Sequence, residues 1–482
     1  MYFPLFTDIP SIIYVIYAVF TTFLIIMERK RPEKTLTWII IFVLFPPIGI
    51  LFYLLIGRNW KKKKNKLNTT TDEITKELFN IYNTKIEIKK YEPLTELFAN
   101  NSFSPLYGNN EIELFSEGNS LFERIIEDIE KAKDHIHLEY YIFKNDDIGS
   151  KIIKALIKKA NEGVEVRIIA DKVGSVDLKR KAIKEMKKNN IDFVFYSYFL
   201  APILKPFNTL INYRNHRKII VIDGEIGYVG GFNIGDEYIK SKKLGIWKDT
   251  HIRVAGDFVY GLQASFLDDF NRIKKLYKEK NFIKGNYEKY FKIHEQTKDN
   301  IKMQLIKSGP DSENPSIMQG ILQMINLAKK NINIVTPYFI PNDEVLSALK
   351  VAVLSGIDVK ILFPSNIDHY LVRFASMTYL QEISETGAKI YFLNDKYFIH
   401  SKTISIDGEI CSIGTANMDI RSYELNYEIN AMIYDDKMTR ILDEEFENNL
   451  LNSRAINYNY FENKNIFIIF LESFGRLFSN IL

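Results

Sequence analysis

The sequence predicts an α/β protein in which two duplicated lobes pack around one site, preceded by an N-terminal transmembrane helical hairpin. Three observations predict it: two charge-free apolar stretches near the N-terminus, an alternation of helices and short buried strands that occurs twice, and a polar motif that closes each copy. A chain of 482 residues is long enough for about two or three domains.

Composition excludes several classes of protein. Charged residues make up 26% and hydrophobic residues 46%, which is ordinary for a globular protein and excludes a largely disordered chain. The net charge of +4 gives no support for a dedicated nucleic-acid-binding protein, so we expect no nucleic-acid partner. The single cysteine, Cys411, excludes an internal disulfide framework and a cysteine-based zinc cluster.

The hairpin is predicted from the stretches 9–27 and 36–57, which are close to the length of about 20 apolar residues that crosses a bilayer as a helix. A cleaved signal peptide is the alternative for the first stretch. Against it, no Lys or Arg precedes Ile9 and a second apolar stretch follows at once. Pro46-Pro47 interrupts the second stretch, which predicts a kinked or re-entrant segment.

Basic residues indicate the side of the membrane. Four lie in the connector and six follow the second stretch, namely Arg29, Lys30, Arg31 and Lys34, then Arg58, Lys61, Lys62, Lys63, Lys64 and Lys66. This excess favours a multi-pass protein of the cell membrane whose catalytic domain is cytoplasmic. Residues 1–66 are therefore assigned to the hairpin and a basic linker, and residues 67–109 to a further linker.

The C-terminal segment 461–482 is predicted to be amphipathic. From Asn465 to Leu482 it is strongly apolar with a few polar residues, as expected of a helix at a membrane interface. A terminal helix packed on the protein core is the alternative.

Between these ends the chain is duplicated, with a first lobe at 110–295 and a second lobe at 296–460. Three pairs of segments match between the halves: 136–143 with 332–339, 161–171 with 354–364, and 189–196 with 385–393. Each half alternates helix and short buried strand, which predicts α/β units around a mostly parallel sheet.

Each half then carries the same polar motif. A histidine is followed by Lys after two residues, Asp after seven and Asn after seventeen: His216, Lys218, Asp223 and Asn233 in the first copy, and His400, Lys402, Asp407 and Asn417 in the second. At the start of a strand, the His and Lys of an H-x-K segment point to the same face. The Asp-Gly pair after the strand turns the chain.

This motif resembles that of the phospholipase D superfamily, and two copies in a duplicated α/β chain make the resemblance specific over most of residues 110–455. A closer resemblance, to bacterial cardiolipin synthases, rests on the N-terminal hairpin and on the segments 214–238, 247–251 and 400–428. The one visible departure is Thr415, which follows Gly414 where the first copy has a second glycine.

The residue types suit chemistry at a phosphodiester. Histidine supplies both a nucleophile and an acid, because its neutral and protonated forms interchange near neutral pH. Lys218 and Lys402 would hold the non-bridging oxygens, and Asn233 and Asn417 would donate amide hydrogens to them. We therefore expect neither a metal nor a cofactor. By resemblance, one histidine is covalently phosphorylated while the other protonates the leaving group.

The resemblance implies that His216 is the nucleophile and His400 the acid/base. Each histidine also needs a carboxylate to orient it. Asp249 and Glu428 are the predicted orienting residues because each directly precedes a similar strand, and Glu424 is the alternative in the second copy.

The motif aspartates Asp223 and Asp407 are grouped with the catalytic residues, although their position after the strand favours a role in holding the turn. Two further features are open to more than one interpretation. His369 either contacts substrate or lies at the surface, and the loop 196–214 either guides lipid or packs on the protein.

The resemblance implies a membrane-bound phosphatidyltransferase that uses phosphatidylglycerol at the lipid bilayer and releases cardiolipin. A phospholipase D-type hydrolase and a phosphatidyltransferase with another alcohol acceptor are the alternatives, because the same residues serve both. Two complete His/Lys/Asn sets disfavour a catalytically silent scaffold. The acceptor range, the acyl-chain selectivity and the oligomeric state, including a homo-oligomer, stay open.

Overall fold

The computed structural model describes most of the chain. The described residues are 9–28, 32–45, 49–50, 53, 73–82, 88–196, 213–240, 244–277, 283, 287–457, 459–480 and 482. The predictions about the basic residues at 29–31 and 58–66 and about most of the loop 196–214 fall outside this set. The chain forms two compact units, one N-terminal and one that contains both lobes.

The N-terminal unit has two helices in the region of the predicted hairpin, Ile9–Met27 and Pro32–Leu44. Ile25, Phe42 and Tyr53 are buried against one another. Within the described part of the chain, no helix combines the length and the apolar character needed to span a bilayer, so the predicted spans are not confirmed.

In the described residues the first lobe is built on a seven-stranded sheet. The strands of this half are β1 (Asn110–Phe115), β2 (His135–Tyr140), β3 (Glu165–Asp171), β4 (Asp192–Tyr196), β5 (Lys218–Ile222), β6 (Ile226–Gly230), β7 (Ile246–Lys248) and β8 (His251–Gly256). The sheet has the order β1-β8-β6-β5-β2-β3-β4, and β7 lies outside it.

The second lobe repeats this topology. Its strands are β9 (Lys302–Ser308), β10 (Asn331–Val335), β11 (Phe339–Ile340), β12 (Asp358–Pro364), β13 (Lys389–Leu393), β14 (Tyr397–Ile399), β15 (Thr403–Ile406), β16 (Ile410–Gly414), β17 (Met418–Asp419), β18 (Glu428–Tyr434) and β19 (Ser453–Ile456). The main sheet has the order β9-β18-β16-β15-β10-β12-β13-β19, which follows the first sheet strand for strand and adds β19. The predicted duplication of an α/β lobe is confirmed.

The prediction of mostly parallel sheets is wrong. In the first sheet β2–β3 and β3–β4 are parallel pairs, whereas β1–β8, β8–β6, β6–β5 and β5–β2 are antiparallel. The helical crossovers connect the parallel strands, but the Asp-Gly turn after the motif strand folds β5 back on β6 as a hairpin. Both sheets are therefore mixed.

Helices cover the sheets and extend to the C-terminus. They are Glu73–Tyr82, Glu92–Ser102, Gly118–Lys131, Asp147–Asn161, Arg180–Lys188, Phe258–Leu276, Ser316–Leu327, Asp343–Leu354, Tyr370–Ser384, Ile420–Glu424, Asp436–Leu451, Asn459–Glu462 and Ile466–Arg476, with 3-10 turns at Lys89–Tyr91, Asp236–Tyr238 and Tyr287–Tyr290. Equivalent helices begin alike in the two lobes. The side chains of Asp146 and Asn342 cap them by accepting from the backbone N–H of Gly149 and Val345 at 3.1 and 3.2 Å.

One apolar cluster joins the lobes. It includes Ile219 and Ile252 of the first sheet together with Ile413 and Ile429 of the second, so the two sheets share a core. The segment predicted as a linker, 67–109, also contributes to the cores. Its first helix buries Ile74 and Leu78 in the shared cluster, and its second buries Leu94 and Phe98 in the second lobe.

Candidate active site

Pairing between the lobes brings each motif histidine to a carboxylate of the opposite lobe. β7 runs parallel to β14 with Lys248 opposite Ile399, so the residues that follow, Asp249 and His400, are neighbours. The backbone N–H of His400 donates to the carbonyl oxygen of Lys248 at 2.7 Å, which continues the ladder into the site. His400 comes from the second lobe and Asp249 from the first.

The other histidine is positioned in the same way. Asn215 forms a parallel bridge with Tyr427, and the next residues along each chain segment are His216 and Glu428. The backbone N–H of His216 donates to the carbonyl oxygen of Tyr427 at 2.9 Å. The two lobes therefore exchange carboxylates across the interface.

His216 uses Nδ1 to bind its carboxylate. Nδ1 lies 2.9 Å from Oε2 of Glu428 and 3.1 Å from the carbonyl oxygen of Thr415. Because both neighbours are acceptors, Nδ1 carries the hydrogen in the neutral ring, and Nε2 keeps its lone pair. Glu428, rather than the alternative Glu424, supplies this carboxylate.

Nδ1 of His400 has both a carboxylate and an ammonium group as neighbours. It lies 2.5 Å from Oδ2 of Asp249, 2.8 Å from Nζ of Lys402 and 3.5 Å from the hydroxyl oxygen of Tyr238. The indole ring of Trp247 lies beside the imidazole, with 5.1 Å between the ring centroids.

Burial decides the charge of the two histidines. It lowers the pKa of His216, an effect that Glu428 opposes. It also lowers the pKa of His400 well below the ordinary value, and the Lys402 charge adds to this effect. In the absence of substrate, both imidazoles are therefore neutral at pH 7.

The partner carboxylates differ in charge state. Burial tends to raise the pKa of Glu428, but His216, Lys218 and the Thr415 hydroxyl outweigh it, and the pKa lies below its ordinary value. Burial raises the pKa of Asp249 to about 6, although Lys402 opposes the rise. Glu428 is thus the more firmly ionised partner.

The two motif lysines lie in the same buried region. Nζ of Lys218 donates to the carbonyl oxygen of His216 at 2.8 Å, and Nζ of Lys402 donates to the carbonyl oxygen of His400. Burial lowers the pKa of Lys218 to about 7 and that of Lys402 to about 8. An anion that entered the site would favour the protonated form of both.

The two motif asparagines are also buried. Oδ1 of Asn233 accepts from the backbone N–H of Ile142 at 3.3 Å, and its Nδ2 donates to the hydroxyl of Tyr238 at 3.0 Å. Since Tyr238 also approaches His400, Asn233 belongs to the same hydrogen-bond network. Oδ1 of Asn417 is buried without a hydrogen-bond partner among the residues that the structure describes.

The motif aspartates lie at the other end of their strands. The Asp223 carboxylate accepts from three backbone amides, those of Lys133, Asp134 and His135, at 2.8 to 3.0 Å. Asp407 accepts equivalent bonds from the amides of residues 329–331, at 2.7 to 3.1 Å. Both aspartates have a positive φ, 55° and 57°, as a tight hairpin turn requires. These contacts give them a role in the turn rather than in contact with the histidines.

Two residues that complete the site were not singled out as functional from the sequence. The Thr415 hydroxyl donates to Oε2 of Glu428 at 2.5 Å, whereas a Cβ at the equivalent Gly231 would lie 1.9 Å from Oδ1 of Asp249. The glycine thus makes room for one carboxylate, and the threonine binds the other. In the sequence, Thr415 could have been recognised because it replaces the glycine found at the equivalent position of the first copy, Gly231. No comparable feature of the sequence pointed to Tyr238.

Asp368 and His369 lie in the loop before the helix Tyr370–Ser384. The carboxylate of Asp368 accepts a hydrogen bond from the hydroxyl of Tyr338, and it is close enough to His400 to oppose the fall in the pKa of that residue. The His369 side chain is exposed, and its ring centroid lies 6.3 Å from that of Tyr338.

Models of known protein families match the segments that form the site and the N-terminal region. A family model described as cardiolipin synthase, phospholipase D-like domain, matches residues 125–244 and 321–450. A model described as phospholipase D-nuclease N-terminal matches residues 13–58. The matched segment 125–244 contains His216, and the matched segment 321–450 contains His400.

Proteins that match nearly the whole length of the chain are also named cardiolipin synthases. The chain is 41% identical to a cardiolipin synthase of Listeria innocua, and the match covers 98% of both chains. It is 40% identical to one of Clostridium perfringens, over 95% of this chain and 96% of that one. It is 38% identical to the major cardiolipin synthase of Bacillus subtilis, over 98% of both.

A solved structure shares the fold. A phosphatidylserine synthase of Haemophilus influenzae superposes with a TM-score of 0.62, covering 81% of this chain and 100% of that one. The sequences are 15% identical, so this likeness concerns the fold alone.

Proposed function

The chain belongs to the cardiolipin synthase family of phospholipase D-like proteins, and on that premise we propose that it makes cardiolipin from two molecules of phosphatidylglycerol. The observation that carries the proposal is the pair of crossed dyads, His216–Glu428 and His400–Asp249. Two oriented histidines with two buried lysines supply a nucleophile, an acid and positive charge for one phosphodiester.

In the first half-reaction Nε2 of His216 attacks the phosphorus of the first phosphatidylglycerol. A P–N bond forms while the P–O bond to the glycerol headgroup breaks. His400 gives its proton to the departing glycerol oxygen, which leaves as free glycerol. Lys218 and Lys402 bind the non-bridging oxygens, whose negative charge also favours the protonated form of His400 that this step requires.

In the second half-reaction a hydroxyl of the second phosphatidylglycerol transfers its proton to His400. The hydroxyl oxygen attacks phosphorus, the P–N bond breaks, and cardiolipin is released with both histidines restored. One phosphodiester replaces another, so the reaction consumes no nucleotide. Ionised Glu428 stabilises the positive charge that develops on His216.

The dyads also support the use of one composite site rather than two. Each histidine depends on a carboxylate from the opposite lobe, so neither lobe holds a complete dyad without the other. Both lobes are therefore needed to form the two histidine–carboxylate dyads, in addition to sharing an apolar core.

The protein is expected to work at the cytoplasmic face of the cell membrane as a multi-pass protein. Two regions support membrane attachment, the N-terminal family match at 13–58 and the C-terminal helix Ile466–Arg476. The helix places its polar residue Glu472 inward, paired with Lys464, and leaves Phe470 62% exposed. An exposed apolar face of this kind is typical of a helix that lies in the membrane interface.

Lipid analysis of the purified full-length chain tests the function. The detergent-solubilised protein is incubated with phosphatidylglycerol as the sole lipid, without added metal or nucleotide. Cardiolipin with an equimolar amount of glycerol is the expected result. Phosphatidic acid without cardiolipin would identify water as the acceptor and the protein as a hydrolase. The absence of any product would contradict the proposal.

A further inference from the structure

A strongly basic surface of the first lobe is formed by the loop and the helix that follow β3. These elements, the loop 172–179 and the helix Arg180–Lys188, are hereafter called the basic rim. They contain seven basic and two acidic residues, whereas the whole chain is nearly balanced at a net charge of +4. All seven basic residues are exposed, namely Lys172, Lys179, Arg180, Lys181, Lys184, Lys187 and Lys188.

The loop of the basic rim is bound to the segment that carries His216. One oxygen of the Asp171 carboxylate accepts from the backbone amides of Val173 and Gly174, both at 2.9 Å. The other oxygen accepts from the backbone N–H of Asn215 at 3.0 Å, and Asn215 directly precedes His216. A single buried carboxylate therefore fixes the loop relative to the catalytic segment.

A second contact joins the same loop to the ring beside His216. The Ser175 hydroxyl donates to the carbonyl oxygen of Tyr141 at 3.0 Å. The ring of Tyr141 lies beside the imidazole of His216, with 4.8 Å between the ring centroids. The loop therefore lies at the edge of the reaction centre, on the His216 side.

The loop also exposes apolar side chains. Val176 is 74% exposed and Val173 is 37% exposed. Within the part of the chain that the structure describes, none of the seven basic side chains of the rim forms an ion pair. Aliphatic side chains surrounded by exposed positive charge suit a bilayer with anionic headgroups, because the charges attract the headgroups and the apolar groups enter among them.

The equivalent position of the second lobe has a different surface that suits the same partner. The order of the strands matches the helix Tyr370–Ser384, between β12 and β13, with the helix of the basic rim. The C-terminal helix covers Tyr370–Ser384, with Arg476 paired to Glu382 at 2.6 Å, and leaves its own apolar side exposed. Because the dyads are exchanged reciprocally, the lobes form an approximate two-fold pair, and equivalent helices lie on the two sides of the site.

We propose that the basic rim docks on a bilayer surface that carries anionic lipids and directs the His216 side of the site toward the membrane. The inference deepens the proposed function, because the phosphate of a donor whose acyl chains stay in the bilayer must meet His216 at the headgroup level. The rim orients a protein that is attached to the membrane elsewhere. Docking of this kind weakens with salt, since the charges are exposed.

A fluorescent label at position 176 tests the docking in the full-length protein. The one cysteine of the chain, Cys411, is buried, so Val176→Cys provides a single accessible thiol. The labelled protein is reconstituted into phosphatidylcholine vesicles with or without phosphatidylserine, an anionic lipid that is not the proposed donor. With phosphatidylserine the emission should shift to shorter wavelength, and a lipid-borne quencher should reduce it. Both responses should be absent without phosphatidylserine and should be lost in about 0.5 M salt.

The contribution of the charges is measured in the same labelled background. The helix of the basic rim buries Ala182 and Met186, and three exposed lysines lie on the opposite side. The triple variant Lys181→Gln, Lys184→Gln and Lys188→Gln removes these charges. The ratio of quenched to unquenched label should fall about tenfold to a hundredfold, as expected for three basic residues near an anionic surface.

A matched triple variant separates position from net charge. Lys133→Gln, Lys329→Gln and Lys330→Gln removes the same charge from exposed residues beside the Asp223 and Asp407 turns, at the far end of the motif strands. This variant should keep the full response. An equal loss in both triple variants would overturn the proposal, because the effect would then depend on net charge alone.

A second label position shows whether the contact is local. Ile293 is 97% exposed, and the neighbouring His294 lies 2.8 Å from the carbonyl oxygen of Gly224, at the opposite end of the motif strand from His216. A label on Ile293→Cys should not respond. Equal responses at positions 176 and 293, or a response at 176 without phosphatidylserine, would overturn the docking.

The readout requires no turnover, so the docking and the proposed function can fail separately. A protein that makes cardiolipin but shows no response at position 176 would overturn the docking alone. A protein that responds at position 176 but converts no phosphatidylglycerol would support the docking and contradict the proposed function.

Discussion

Nδ1 of His216 and Oε2 of Glu428 lie 2.9 Å apart although the two residues are separated by 212 positions and belong to different lobes. The bond orients the imidazole, keeps its hydrogen on Nδ1 and leaves Nε2 directed away from the carboxylate. The Thr415 hydroxyl binds the same Oε2 at 2.5 Å and fixes the carboxylate in turn. The orientation and the tautomer of His216 therefore depend on a residue of the other lobe.

Glu428→Gln should lower kcat roughly a hundredfold to ten-thousandfold, the range expected when the charged partner of a catalytic histidine is neutralised. The amide keeps the shape of the side chain but neither fixes the tautomer nor stabilises a charged imidazole. The rate of cardiolipin formation at saturating phosphatidylglycerol measures the effect. Glu424→Gln, which neutralises a neighbouring carboxyl outside the dyad, is the matched control. Similar rates for both variants would contradict the assigned pairing.

The roles of the two histidines can be separated by trapping. With radiolabelled phosphatidylglycerol and an alkaline quench, the wild type should carry label on the peptide that contains His216. His400→Ala should still accept label from a donor whose headgroup leaves without protonation, whereas His216→Ala should accept none. Turnover to cardiolipin should be lost in both variants. Label on the peptide that contains His400 would reverse the assignment.

The pH dependence should have an alkaline limit set by the lysines. The pKa of Lys218 is lowered to about 7 and that of Lys402 to about 8, mainly by burial. As pH rises through this range the free enzyme loses positive charge first at Lys218 and then at Lys402, so kcat/KM should fall above about pH 7 and more steeply above about pH 8. Since guanidinium stays charged, Lys402→Arg should remove the steeper fall above about pH 8 even if the maximal rate is reduced. An unchanged profile above about pH 8 would exclude Lys402 as the source of the steeper fall.

Asp223→Asn should affect stability rather than chemistry. The carboxylate accepts from the backbone amides of Lys133, Asp134 and His135, at the opposite end of the motif strand from His216, and replacing one of its oxygens by an amide NH2 leaves backbone donors unmatched. We expect a loss of about 1–3 kcal/mol in the free energy of unfolding. Denaturant titration measures this, and kcat below the transition should be close to that of the wild type. A large loss of kcat with unchanged stability would return Asp223 to the catalytic residues.

The features of this protein that can be predicted from its sequence depend on residues close together in the chain. The spacing of His216, Lys218 and Asn233 is a property of one strand and its hairpin, so the motif and its duplication could be predicted from periodicity. These features depend on neighbours within a few residues.

The missed features depend on contacts between distant segments. The exchange of Asp249 and Glu428 between lobes follows from the register of β7 on β14 and of Asn215 on Tyr427, which no local pattern encodes. The sheets are mixed because each motif strand returns as an antiparallel hairpin, a consequence of the same Asp-Gly turn that the sequence displayed. The contact of Tyr238 with His400 likewise joins residues of different lobes.

The C-terminal helix Ile466–Arg476 exposes an apolar face that we expect to contact the membrane. Ile466, Phe470 and Phe474, spaced four residues apart, are 79%, 62% and 45% exposed, while Gly475 on the opposite side packs against Ala375. A helix that buries its small and polar side and exposes its aromatic side is typical of contact with a lipid surface. The single substitution Phe470→Trp places a fluorescent reporter on this face without changing its apolar character.

Anionic vesicles should shift the indole emission of the full-length Phe470→Trp variant to shorter wavelength, and a lipid-borne quencher should reduce it. The matched variant Leu451→Trp places the same reporter at another exposed apolar position, on the helix Asp436–Leu451, where Leu451 is 84% exposed. It should show neither response beyond that of the three native tryptophans. If the two variants respond alike, the C-terminal helix does not enter the interface, and membrane attachment must be sought in the N-terminal region alone.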